Sequence, residues 1–527
     1  MTINISYDII KTVINKKTLL EVDVSSMLNA IKRAIIVALG VILQFGFFIL
    51  IQVYFHDNIT IVGIVYDLLS ILIVLKLLKD STSLSNDIPW IMLILVFPIF
   101  GTILFLTLGS NYAKNKLLKN IYKTEKKYQK YLIQDFDIRN EINKKELDNL
   151  KYIIDYSKFP VTKDNKIEYY CLGEIFYPEL LKSLKEAKKY IFIEYFIINK
   201  GKMWDGILNI LKEKASDGLD VRVMYDDMGS IAMLSTKYPN ELKKYGIKCM
   251  SFNKISPFKG IFMNNRDHRK MTIIDGKVAF TGGVNISDEY INIKSKYGIW
   301  KDNGIKVEGP AVWNFTVMFL TLWNSNTKED SDILKFKYEF LSNNKSKGYV
   351  SPYGISPLGK QLVAEDIYIN IINSAKKYVY IMTPYLIIDT DMINALIRAS
   401  KRGVDVRIIV PGIPDKKIVY TLTCSFFKIL LNSGVKIYKF TDGFVHSKVF
   451  VSDDVRAVVG TINMDYRSLY LHFENGIYME NLKEIFDIKQ DVTYTISKCK
   501  NIKINDAKVG FFKEIWQSIL RLFAPLF

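Results

Sequence analysis

Four histidines occur in this chain of 527 residues, and two of them open the same eight-residue pattern, His-x-Lys-x-x-x-x-Asp. The first copy is HRKMTIID, with His268, Lys270 and Asp275; the second is HSKVFVSD, with His446, Lys448 and Asp453. With lysine about a tenth of the chain and aspartate about a twentieth, chance supplies such a match about 0.02 times among the histidines. Two matches, one in each half, are therefore a signal. Residues i and i+2 of a strand share a face, so each His–Lys pair is expected to project together. The apolar residues that follow each pair predict a buried strand. Two imidazoles and two ammonium groups brought face to face suit phosphodiester chemistry without a metal. One imidazole attacks phosphorus and forms a phosphohistidine. The other protonates the leaving alcohol, then acts as base toward the acceptor. Imidazole suits both roles because its proton balance lies near neutral pH.

Each copy is followed by a small-residue turn and an asparagine: TGGVNISDEY holds Gly282, Gly283 and Asn285, and VGTINMDYRS holds Gly460, Thr461 and Asn463. Asn285 and Asn463 are expected to bind substrate as amide donors to a phosphoryl oxygen, beside Lys270 and Lys448. Asp275 and Asp453 lie one strand-length further on, where a supporting role is expected rather than proton transfer. The surrounding segments also repeat. EAKKYIFIEYFII, DGLDVRVMYDDMGS and LKKYGIKCMSF in the first half match SAKKYVYIMTPYLI, RGVDVRIIVPG and LNSGVKIYKF in the second. Strands alternating with helices predict an α/β fold of two pseudo-symmetric domains, each a central β-sheet flanked by helices. One active site between the two is the economical arrangement.

These residues resemble the phospholipase D superfamily, which is defined by the HxKxxxxD pair, and more closely the bacterial cardiolipin synthases. The resemblance covers nearly all of the chain after about residue 59. It is carried by NNRDHRKMTIIDGKVAFTGGVNISDEY, by GIWKDNGIKVEGPAVWNF, by GFVHSKVFVSDDVRAVVGTINMDYRSLYLHFENG and by the tail RLFAPLF. Lys301 stands where the family usually has arginine, and His472 where asparagine is common. The resemblance implies two phospholipase D-like domains, no cofactor, and phosphatidyl transfer between two phosphatidylglycerol molecules, giving cardiolipin and glycerol. It implies that the first-copy histidine is the nucleophile. A hydrolase, a phosphatidyltransferase using another alcohol, a membrane-tethered nuclease and a catalytically dead lipid-binding scaffold are the alternatives.

The net charge of +18 favours a polyanionic partner, either an anionic membrane surface or nucleic acid. The N-terminal region points to the membrane, so an anionic phospholipid is the expected partner and no nucleic acid is expected. Residues 34–55 form a charge-free run of spanning length, 59–75 a shorter one carrying Asp67, and 88–108 another charge-free run containing Pro98 and Gly101. Two to three transmembrane helices are expected in 1–110, a Lys-rich linker in 111–165, the first domain in 166–330, a connection in 331–350, the second domain in 351–500 and an amphipathic segment in 501–527. The lysines that follow the apolar region place the catalytic half in the cytoplasm. Four scattered cysteines without CxxC spacing argue against a disulfide scaffold or a zinc site. No metal is expected, because no histidine–carboxylate run has ligand spacing.

Overall fold

The structure, a computed structural model, describes Gly46 and residues 59–80, 84–105, 116–254, 265–294, 296–327, 329, 332–340, 348–359 and 361–526. The chain divides into two compact units, Met1–Ala113 and Lys114–Phe527.

In the first unit the expected span over 34–55 lies, apart from Gly46, outside the described residues. The apolar run from residue 59 continues as a helix to Asp80 and so gains Lys76, Lys79 and Asp80. The run over 88–108 is not one helix. Helix Leu84–Val96 stops at Phe97, whose backbone leaves the helical region, and Pro98–Leu104 begins again. The physical reason is Pro98: a proline disfavours helical geometry in the residue before it, and suits the first position of a new helix. Among the described residues no helix is long and apolar enough to cross a membrane.

The second unit is built on two matching sheets. The first contains β1 (Lys166–Tyr170), β2 (Tyr190–Tyr195), β3 (Asp220–Asp226), β4 (Lys248–Phe252), β5 (Lys270–Ile274), β6 (Val278–Gly282) and, after a short β7 (Ile299–Lys301), β8 (Gly304–Glu308). Their order across the sheet is β1-β8-β6-β5-β2-β3-β4. The second contains β9 (Tyr349–Ile355), β10 (Tyr378–Met382), β11 (Asp405–Pro411), β12 (Lys436–Phe440), then, after a short β13 (Gly443–Val445), β14 (Val449–Ser452), β15 (Arg456–Gly460), β16 (Glu474–Glu480) and β17 (Cys499–Ile502). Its order is β9-β16-β15-β14-β10-β11-β12-β17, the first sheet's pattern with one strand added. Within each sheet the three parallel strands are joined by crossover helices, and the HxK strand pairs antiparallel with the central strand.

The helix Val312–Asn326 (VWNFTVMFLTLWNSN) is apolar on every side and almost wholly buried, as such helices must be. It shares one core with residues of both sheets, including Phe192 and Met271 from the first and Val449 and Ile477 from the second. Phe319 stacks on Phe192 with ring centroids 4.6 Å apart. Full burial of a side chain of this size contributes about 1.5–3 kcal/mol.

The stretch expected as a Lys-rich linker is folded onto this body. Helix Lys116–Tyr128 buries Leu118, Ile121 and Tyr128, and Asn324 Nδ2 donates to the Tyr128 hydroxyl at 2.8 Å. Trp313 Nε1 donates to the Tyr131 carbonyl at 2.9 Å. Within the expected connection, Phe336 is buried, and its carbonyl accepts from the Tyr190 hydroxyl at 2.6 Å. Strand β9 begins at Tyr349, inside that same stretch.

Candidate active site

The two HxK pairs sit where the two halves cross-pair. The β13 strand runs parallel to β7, and the His446 N–H donates to the Lys301 carbonyl at 2.8 Å. On the other side Asp267 bridges Phe473, and the His268 N–H donates to the Phe473 carbonyl at 2.9 Å. Each histidine is thus laid against the strand that opens β8 or β16 of the opposite half.

That crossing supplies each imidazole with a carboxylate. His268 Nδ1 lies 2.8 and 2.9 Å from the two Glu474 oxygens. His446 Nδ1 lies 2.6 Å from Asp302 Oδ2. Both acids are fully buried, and both histidines are over nine-tenths buried. Asp302 and Glu474 were not among the sequence candidates. A signal was present: DNGI at 302–305 and ENGI at 474–477 repeat as the motifs do.

Lys270 and Lys448 are buried with the histidines, and each ammonium donates to the carbonyl of its own motif histidine, Lys270 at 2.8 Å. Burial pulls Lys270 down to about 8 and Lys448 to about 7, against the field of Asp302 and Glu474. Burial also lowers His446 to about 4, with Lys448 adding to the effect and Asp302 opposing it. His268 is pushed well below the ordinary histidine range by burial, then by Lys270, His472, Lys448 and His446.

The acids differ. Burial works to raise Asp302, but the charge and hydrogen bond of His446, the field of Lys448 and the Asn303 N–H outweigh it and hold the carboxyl below its ordinary range. For Glu474 burial wins and raises the carboxyl well above its ordinary range, despite Lys270 and the Thr461 hydroxyl that donates to it. Gly283 corresponds to Thr461. A Cβ there would lie 1.9 Å from Asp302 Oδ1, so only glycine admits that carboxylate.

The motif aspartates are not brought to the histidines. Asp275 accepts the N–H groups of Lys188, Lys189 and Tyr190 at 2.8, 2.7 and 2.9 Å, tying β5 to the start of β2. Asp453 does the same for Lys376, Lys377 and Tyr378 at 2.7, 2.8 and 2.8 Å. Asn285 is partly committed to the protein: its Oδ1 accepts from Ile197 N–H at 3.1 Å and its Nδ2 donates to the Tyr290 hydroxyl at 2.8 Å. Asn463 is buried, and its Oδ1 has no hydrogen-bond partner among the described residues. Lys301 turns away from the histidines; its ammonium donates to Asp491 at 2.8 Å and to the Cys171 carbonyl at 2.6 Å. In the first half, Asp226 steadies the approach to the motif by accepting from Arg266 at 2.8–3.0 Å and from the Asp267 N–H at 3.0 Å.

Although no linear run had ligand spacing, the fold gathers His268, His472 and Glu474 so that one donor atom from each lies within 4.8 Å of the others. Burial, then the charges of Arg467, Arg266, Lys270 and Lys416, hold His472 well below the ordinary histidine range.

The residues match known proteins along most of their length. A family model described as cardiolipin synthase, PLD-like domain, matches residues 180–313 and 368–494. An uncharacterised protein of Streptococcus mutans is 42% identical over 464 residues, covering 86% of this chain and 99% of that protein. A cardiolipin synthase of Alkalihalophilus pseudofirmus is 33% identical over 472 residues, covering 88% of this chain and 93% of that one. Among solved structures, phosphatidylserine synthase of Haemophilus influenzae shares the fold, with a TM-score of 0.51 at 18% identity over 68% of this chain and 93% of that one. Two duplicated HxK sheets with crossed acid partners, matched over both halves, place the chain in the cardiolipin synthase family of the phospholipase D superfamily.

Proposed function

We propose that this enzyme condenses two phosphatidylglycerol molecules into cardiolipin and glycerol, and that its two dyads divide the work. The observation that carries the reading is the unequal pair of acids. Burial lowers His446, but Asp302 keeps its charge and opposes that shift, so of the two imidazoles His446 is the better placed to carry a proton. His268 faces a carboxyl raised by burial and stays neutral, which suits it to attack. A His268 nitrogen bonds to phosphorus, the phosphorus–oxygen bond to the glycerol headgroup breaks, and His446 gives its proton to the departing oxygen. The hydroxyl of a second phosphatidylglycerol then gives its proton to His446 and attacks phosphorus, and the phosphorus–nitrogen bond breaks. Lys270 and Lys448, with Asn463 and the remaining N–H of Asn285, stabilise charge on the phosphoryl oxygens.

A bilayer substrate fits the exposed apolar surfaces. In helix Ile59–Asp80, Ile64, Leu68, Leu72 and Leu75 are all exposed. In the C-terminal helix Phe511–Leu522, Phe511, Phe512, Ile515, Trp516 and Ile519 are exposed beside Lys513 and Arg521. Such a face suits an interfacial helix on an anionic membrane. The N-terminal region is the membrane anchor in this reading, and the catalytic unit lies on the cytoplasmic side.

The test is the purified full chain with phosphatidylglycerol vesicles, reading lipids and released alcohol. Cardiolipin and glycerol in roughly equal amounts support the proposal. Phosphatidic acid as the main product favours a hydrolase, and DNA cleavage without lipid turnover a nuclease.

A further inference from the structure

One buried side chain beside the dyads has no part in the chemistry above. His472 is 9% exposed, and among the described residues neither of its ring nitrogens has a hydrogen-bond partner. Its ring lies 5.6 Å from that of His268, tilted by 42°. Its Nδ1 is 3.7 Å from Glu474 Oε1, too far for a hydrogen bond, and Glu474 is already held by His268 and Thr461. Its backbone is fixed, with the His472 N–H donating to the Arg467 carbonyl at 2.9 Å. A buried polar ring left without partners carries a desolvation cost that a bound ligand offsets.

We propose that His472 is a specificity-determining residue that binds a hydroxyl of the alcohol entering at the His268 phosphohistidine, and so selects a polyol acceptor over water. This rests on the phosphatidyl-transfer reading above. Burial and the fields of Arg467, Arg266, Lys270 and Lys416 keep the ring neutral. A neutral imidazole offers one donor and one acceptor, the complement of a hydroxyl, which also has one of each. Phosphoryl charge is already met by two ammonium groups, so the uncharged partner left to recognise is the headgroup alcohol. A glycerol headgroup keeps a second hydroxyl when one of its oxygens attacks; ethanol and water have none to spare. Holding that second hydroxyl orients the attacking one and excludes water from the phosphohistidine.

The experiment compares wild type with His472→Asn and His472→Leu, using phosphatidylglycerol vesicles. The readouts are cardiolipin formed per glycerol released, and the lipid products when glycerol and ethanol compete as added acceptors. An amide keeps one donor and one acceptor, so H472N should stay close to wild type in both ratios. H472L loses both, so phosphatidic acid should rise relative to cardiolipin by about tenfold and the preference for glycerol over ethanol should fall by about tenfold, the loss of one hydrogen bond. Wild-type ratios in H472L would overturn the proposal. So would inhibition by added zinc that H472L abolishes with no change in either ratio, since His472 would then be a metal ligand. Should wild type yield phosphatidic acid alone, the condensation reading fails instead, and the glycerol–ethanol arm still decides His472. Should H472L not fold, H472A carries the same test.

Discussion

The two halves of the catalytic unit share strand order and motif, yet their histidines sit in different company. In the first half His268 faces a glutamate whose carboxyl is raised by burial and bonded by Thr461. In the second His446 faces an aspartate that stays charged, admitted by the missing side chain of Gly283. The approach to His268 is braced by the Arg266–Asp226 ion pair, whereas His446 follows a short strand ladder. A duplicated scaffold can therefore supply two chemically unequal imidazoles by altering the acid and its neighbour, with the motif left intact.

The largest expected effect tests whether both histidines serve one site. His268→Ala and His446→Ala should each lower turnover of phosphatidylglycerol by about a thousandfold or more, and the double variant should be little worse. Retention of a tenth of wild-type activity by either single variant would break the shared site. The next effect tests the inequality of the acids. Asp302→Asn should lower kcat by roughly a thousandfold, because the charge that stabilises the His446 imidazolium is gone. Glu474→Gln should cost about tenfold, since little charge is removed. Equal losses would erase the distinction.

The third expectation concerns pH. A lysine with a lowered pKa is cationic below that value and loses its charge as pH rises through it. The kcat/KM profile should therefore fall on the alkaline side between about 7 and about 8, set by Lys448 and then Lys270. Lys448→Arg keeps its charge and should move that fall upward at reduced activity. A profile flat to pH 10 would remove the two ammonium groups from the chemistry. The smallest effect separates the motif aspartates. Each ties three backbone N–H groups, those at Asp275 being less exposed than those at Asp453. Asp275→Asn should lower unfolding free energy by about 1–3 kcal/mol and Asp453→Asn by less, as read by denaturant titration, with turnover of the folded protein near wild type.

The repeated strands and their succession along the chain were legible in the repeated sequences because apolar runs, DVR starts and HxK strands recur. Edge strands were harder to read. β1 (KIEYY) is half exposed, and its pattern carries little hydrophobic contrast. The crossed acids lay beyond local reading, since Glu474 is 206 residues from His268 and Asp302 is 144 from His446. Spacing within a motif says nothing of such partners; the DNGI and ENGI repeat was the available clue. Asn285 read as a phosphate donor because its type allows it, but the Ile197 N–H and the Tyr290 hydroxyl claim much of its amide. The Lys-rich segment read as a linker from its charge, although three apolar residues on one helical face suffice to dock it.

The crossed pairing of histidine and acid also has a consequence for the growing chain. When synthesis has delivered the first half, His268 and Asp302 both exist, but Glu474 and His446 do not, so neither histidine–acid pair has formed. A truncated product ending before β16 would hold His446 and Asp302 but would leave His268 without its acid. Activity is therefore a late event in biogenesis. A ribosome that stalls partway releases a protein whose site is incomplete.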